Sequence, residues 1–337
     1  MRRVVSAGCV WAVTFGVLCN LQLQAQKAVV GPIPPKVEFV QVDSGVRLEV
    51  LDWGGTGRAV ILLAGLGDDA HVFDNFGPKL AARYHVYGIT RRGYGASDSP
   101  AVDEENYSAD RLGDDVIAVI NTLKLDHPVL VGHSIAGEEL SSVGSRHPER
   151  VAGLVYLEAG YEYALYDPAH GDFELNTNEL RRHVTALNHP LSAADQSHTI
   201  DEILKDWPSY EKVLLARKKE LSRMSPLTPE QKANAAVQMK TRNVISGRAI
   251  IHGEQRYTEI KCPLLAIFAD PHDFGPGLKG EELAEAEAHD RSESQAKLFE
   301  ALPGARVVRM PHAGHYIFLS NEADVLREMN TFIASLP

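Results

Sequence analysis

Ser134 lies in the run Val129-Leu130-Val131-Gly132-His133-Ser134-Ile135-Ala136-Gly137, where an apolar strand pattern passes through small residues into a helical one. A hydroxyl is a poor nucleophile at neutral pH. A serine that does chemistry therefore needs a general base within hydrogen-bond reach and a third group that holds the base in one tautomer. The turn matters as much as the hydroxyl. A serine at the apex of a tight strand-to-helix turn brings its backbone against both neighbours, and Gly132 and Ala136 are small enough to avoid a clash there. The competing reading is an ordinary surface serine.

His315 is the leading candidate for the base. It follows the last predicted strand in Met310-Pro311-His312-Ala313-Gly314-His315, a loop at the carboxyl edge of the sheet, where sites in α/β folds collect. His312 is the second choice. A metal held by His312 and His315 lacks the further ligands such a site needs, so no metal is expected. The orienting acid should follow the strand Leu264 to Ala269, in Asp270-Pro271-His272-Asp273-Phe274-Gly275-Pro276. Asp273, farther into the loop, has more freedom to reach a histidine and is the first choice. Asp270, against the strand end, reads equally well as a turn residue. Glu158, at the end of an earlier strand, is the third candidate, because carboxylates at that edge also face the site.

These residues need a sheet to bring them together. Val37 to Val42 and Val46 to Trp53 flank Asp43-Ser44-Gly45, a hairpin signal. Val60 to Ala64, Tyr84 to Ile89, Val129 to Val131 and Val151 to Leu157 are short apolar runs of the kind buried on both faces of a parallel sheet. Helical patterns separate them, at Tyr107 to Leu123 and Ser134 to Arg146, and the alternation implies an α/β fold. From Gly160 to about Thr258 it stops. That segment is polar, helix-prone and punctuated by Pro168, Pro190, Pro208, Pro226 and Pro229, with a capping signal at Thr228-Pro229-Glu230-Gln231. Strands resume at Leu264 to Ala269 and Arg306 to Met310, with helices expected over Glu281 to Leu302 and Asn321 to Ala334. The expected organisation is a leader at 1–25, a core in two parts at 26–159 and 259–337, and a helical cap inserted at 160–258.

With these motifs in place, the chain resembles the α/β-hydrolase superfamily, in its lidded serine-hydrolase branch of esterases and lipases. Leu63-Ala64-Gly65-Leu66-Gly67 resembles the family's oxyanion turn, and Arg91-Arg92-Gly93-Tyr94-Gly95-Ala96-Ser97-Asp98 its loop after the fourth strand. The resemblance implies a mostly parallel eight-stranded sheet flanked by helices and an oxyanion hole from the backbone N–H groups of Leu66 and Ile135. There are two departures from the pattern. Ala64 replaces a histidine common in that turn, and Ala269 replaces a glycine common before the acid. Serine at the elbow, where epoxide hydrolases and dehalogenases of this fold use aspartate, implies acyl chemistry without a cofactor.

Composition narrows the partners. Arg2 and Arg3 precede an apolar run from Val4 to Cys19, too short to span a bilayer, and the small residue Ala25 follows, so a cleaved signal peptide and an exported protein are expected. The net charge of −11 becomes −13 once Arg2 and Arg3 leave. Nucleic acid and anionic membrane surfaces are therefore poor partners, and cleavage of so short an apolar run leaves no stable membrane anchor. Cys9 and Cys19 belong to the leader, which leaves Cys262 with no internal disulfide partner. Three tyrosines, Tyr161, Tyr163 and Tyr166, open the cap and serve mainly as packing residues. The function expected is hydrolysis of a small or medium carboxylic ester. C–C bond, lactone, amide or peptide cleavage and acyl transfer remain open on the same residues, as does a non-catalytic ligand-binding protein. The oligomeric state is not legible.

Overall fold

The computed structural model describes residues 34–189, 192–222, 242–271 and 282–337. The expected leader and the signal at Thr228 lie outside these residues. Eight strands form one sheet: β1 (Lys36–Asp43), β2 (Val46–Gly54), β3 (Ala59–Leu63), β4 (His85–Ile89), β5 (Val129–His133), β6 (Gly153–Leu157), β7 (Leu264–Asp270) and β8 (Ala305–Pro311). Their order is β1-β2-β4-β3-β5-β6-β7-β8, so β5 sits centrally between β3 and β6. Only the pairings β1/β2 and β2/β4 are antiparallel.

Every residue of β3, β5 and β6 is buried. Alternate side chains leave a strand on opposite faces, so an unbroken apolar run feeds two cores. Ile61, Leu130, Leu154 and Tyr156 pack on one face with Val116, Val119 and Ile120 of α3 (Ala109–Thr122), Leu140 and Val143 of α4 (Gly137–Arg146), and Phe299 of α8 (Glu282–Glu300). On the other face Val60, Leu62, Val129, Val131 and Val155 meet Leu80 of α1 (Gly77–Leu80), Phe318 of α9 (Ile317–Ser320), and Val325 and Met329 of α10 (Glu322–Ser335). The helix expected from Tyr107 is divided. A short α2 (Glu104–Tyr107) ends at Ser108, whose hydroxyl accepts from the Arg111 N–H and caps α3.

Between β6 and β7 the described residues hold three helices and no strand: α5 (Phe173–Leu187), α6 (Ala193–Leu221) and α7 (Arg242–Gly253). Read from sequence as punctuation, Pro208 instead lies inside α6. Proline removes one helical hydrogen bond, and its exposed position leaves the freed carbonyl within reach of water.

Candidate active site

The carboxyl edge of the sheet gathers the candidate residues. Among the described residues, five non-glycine positions have positive φ, and three of them (Ser134 at 53°, Glu158 at 51° and His312 at 59°) directly follow β5, β6 and β8. Left-handed backbone costs an ordinary residue roughly 1–2 kcal/mol, so such a grouping is the kind of strain a working site retains. Ser134 opens a 3-10 turn, Ser134–Ala136, that leads into α4. The elbow needs its small residues. A Cβ on Gly132 would lie 2.9 Å from Leu140 Cδ1, and one on Gly137 would lie 1.9 Å from the Ala159 carbonyl oxygen.

His315 Nε2 lies 3.0 Å from Ser134 Oγ. On the other side of the ring, Nδ1 is 3.5 Å from Glu158 Oε2, an ion-pair distance that is long for a hydrogen bond. Glu158 is fully buried. Its Oε1 accepts from the Ala269 N–H at 2.6 Å and from the Tyr161 hydroxyl at 3.0 Å, which aims Oε2 at the imidazole. The structure thus brings Ser134, His315 and Glu158 together. Asp270 is directed elsewhere, with its Oδ1 2.5 Å from His289 Nδ1. Asp273 lies outside the described residues. His312 is exposed on the surface of its loop.

The turn at 63–67 lies against the elbow, since a Cβ on Gly65 would meet the Ser134 Cβ at 3.3 Å. Arg91 fixes this turn from below. Its Nη2 donates to the Ala64 carbonyl at 2.9 Å while its Nε and Nη2 grip the two oxygens of Glu139 at 2.7 and 2.8 Å. Burial works against the guanidinium charge, but the Glu139 carboxylate outweighs it and holds the Arg91 pKa above its usual value. Leu66 follows Gly65 in this turn, and α7 passes over its side chain. A Cβ on Gly247 would sit 3.6 Å from the Leu66 side chain and 3.5 Å from the Tyr94 hydroxyl. Ile135 packs with Tyr94, Tyr107, Leu112, Ala249 and Ile250, and half-buried Tyr163 closes on the same cluster. Tyr161 instead supports Glu158, and the Tyr166 hydroxyl donates to Asn176.

Sequence reasoning passed over His133. It is 1% exposed, and burial lowers its pKa to about 4, so it is neutral at neutral pH. Its Nε2 lies 2.9 Å from the His315 carbonyl oxygen. A carbonyl can only accept, so Nε2 carries the proton, and this bond ties the loop of His315 to the elbow of Ser134. Glu138 was also missed. Fully buried in the first turn of α4, it has no hydrogen-bond partner on either oxygen among the described residues, and burial raises its pKa well above the carboxylate range.

The profile of the alpha/beta hydrolase family matches residues 60–328. The chain belongs to that family. This alpha/beta hydrolase is 29% identical over 104 residues to 2-(acetamidomethylene)succinate hydrolase of Mesorhizobium japonicum, covering 31% of the chain and 36% of that protein. It is 33% identical over 116 residues to fluoroacetate dehalogenase of a Burkholderia species, covering 34% of the chain and 38% of the relative. These alignments span little more than a third of either relative. Among solved structures, an epoxide hydrolase of Vigna radiata superposes with a TM-score of 0.59 at 16% identity, over 90% of this chain and 99% of that one. That likeness concerns the fold. Among the described residues no helix is long and apolar enough to cross a membrane, and no cluster of three or more His, Cys, Asp or Glu side chains is placed to hold a metal. Cys262 is buried beneath α4, and burial pushes its thiol up to about 12, as suits a small packing residue.

Proposed function

We propose that this alpha/beta hydrolase cleaves small or medium carboxylic esters through an acyl-enzyme on Ser134. The observation that carries the reading is the line of Ser134 Oγ, the His315 ring and Glu158 Oε2, with contacts of 3.0 and 3.5 Å at the apex of the elbow. His315 takes the hydroxyl proton as Ser134 attacks the ester carbonyl, and Glu158 stabilises the imidazolium that forms. The backbone N–H groups of Leu66 and Ile135 receive the oxyanion. His315 then returns the proton to the leaving alcohol. A water activated by the same histidine releases the acid and frees the serine.

Serine at the elbow separates this chain from carboxylate-nucleophile chemistry, in which an alkyl-enzyme ester forms instead. The apolar cluster of Tyr94, Tyr107, Ile135, Ala249 and Ile250 favours an acyl or alcohol group without charge. In this reading the segment 160–258 acts as a cap, with α7 over the oxyanion turn shielding the reaction from water. The test is pre-steady-state hydrolysis of p-nitrophenyl acetate, butyrate and octanoate. A burst of p-nitrophenol in the wild type and none in Ser134→Ala supports an acyl-enzyme. Equal turnover by the two proteins would refute it.

A further inference from the structure

Helix α6 turns a row of large apolar side chains to solvent: Ile200, Leu204, Trp207, Leu214 and Leu221, with Leu204 63% and Trp207 51% exposed. At about 3.6 residues per turn, positions 200, 204, 207, 211, 214, 218 and 221 fall on one stripe. The inward side of the helix is a separate one, where Tyr210 and Val213 are buried. Scattered exposed leucines need no explanation, but five large apolar residues on one stripe, interrupted only by Glu211 and Lys218 and rimmed by charge, mark a contact surface.

The charges along α6 are divided by sign. Residues 193–207 carry Asp195, Asp201, Glu202 and Asp206 against Lys205 alone, whereas residues 208–221 carry Lys212, Arg217, Lys218 and Lys219 against Glu211 and Glu220. We propose that a second copy of this chain docks on this stripe, the two α6 helices crossing antiparallel about a two-fold axis near Tyr210 and Glu211. In that register Ile200 opposes Leu221, Trp207 opposes Leu214, and Glu202 opposes Lys219 of the second copy, each contact made twice by symmetry. Each acidic half then lies along a basic half, whereas a parallel pairing sets like charges together. An anionic lipid surface fits less well, because it attracts clustered positive charge and this chain has a net charge of −11.

The charge pattern supplies a test that hydrophobicity alone would not. Sedimentation velocity is run on the wild type, on Glu202→Lys, on Lys219→Glu, and on an equimolar mixture of the two variants. Circular dichroism reports whether each is folded. The expected result is a wild-type species of twice the chain mass, two monomeric variants, and recovery of the dimer in the mixture, because opposite charges face each other again only there. A monomeric wild type at every concentration, variants that dimerise as the wild type does, or a folded mixture that stays monomeric would each overturn the proposal. So would a monomeric wild type that floats with phosphatidylcholine vesicles, which would assign the stripe to lipid. If either charge variant fails to fold, Trp207→Ser with Leu214→Ser decides: a monomer upholds the proposal and a dimer overturns it.

Discussion

Replacing Glu158 with Gln removes one charge and almost no volume. The Gln carbonyl can still accept from the Ala269 N–H and the Tyr161 hydroxyl, so its amide nitrogen takes the place of Oε2 beside His315 Nδ1. Two consequences follow. At 3.5 Å the attraction between a carboxylate and an imidazolium is about 5 kcal/mol at an effective dielectric of about 20, and it exists only once His315 has taken the serine proton. Water reaching the imidazole, whose side chain is 32% exposed, weakens that attraction. A net loss of about 3–4 kcal/mol corresponds to roughly 10²–10³-fold in kcat. The amide also donates where Nδ1–H should donate, which favours the tautomer with its proton on Nε2, facing Ser134. Steady-state kinetics on a p-nitrophenyl ester should show this fall in kcat with KM little changed, and Asp270→Asn should match the wild type. The reasoning is refuted if Glu158→Gln keeps wild-type kcat while Asp273→Asn loses it, since the orienting charge would then come from Asp273.

Other consequences are independent of the acid. Gly137→Ala forces a methyl to within 1.9 Å of the Ala159 carbonyl oxygen, and urea unfolding should show a loss of about 3 kcal/mol; an unchanged midpoint would contradict this packing. His133→Phe keeps the aromatic packing but leaves the His315 carbonyl without its donor, so kcat should fall about 10–100-fold with KM steady, and an unaltered kcat would remove His133 from the positioning of the base. Glu254 is raised to about 8, first by burial and then by Asp172 and neighbouring glutamates. An acid held above its unfolded value of about 4.3 stabilises the fold at low pH, and that contribution is lost as pH rises through the folded value, by up to about 1.4 kcal/mol per unit. Thermal melts of Glu254→Gln should therefore fall less steeply than those of the wild type between about pH 5 and about pH 8, and parallel curves would refute the assignment.

Most of the fold was legible because β3, β5 and β6 are short, mainly apolar runs separated by helical patterns, and every one of their residues is buried between the two layers that cover the sheet. The serine and histidine were legible for a related reason: each sits where a strong strand signal ends in small or loop-forming residues. The carboxylate that stands beside His315 was harder to place. Glu158 ends a strand within a short reach of its neighbours, and nothing local distinguishes a carboxylate that turns toward β8 from one that caps a strand. One of its partners, the Ala269 N–H, lies 111 residues away on β7, and His315 lies beyond β8. The same applies to His133 and Arg91. Their roles depend on contacts 182 residues away in one case and 27 in the other, which sequence periodicity does not encode. Pro208 was misread because propensity describes an isolated helix, whereas α6 is held by packing against α5.

The most direct test of the account is covalent labelling with a fluorophosphonate, followed by peptide mass spectrometry. The account predicts one adduct, on Ser134, that forms quickly in the wild type, slowly in Glu158→Gln and not at all in Ser134→Ala or His315→Ala. An unlabelled wild type that still turns over esters, or an adduct on another residue that abolishes turnover, would contradict it.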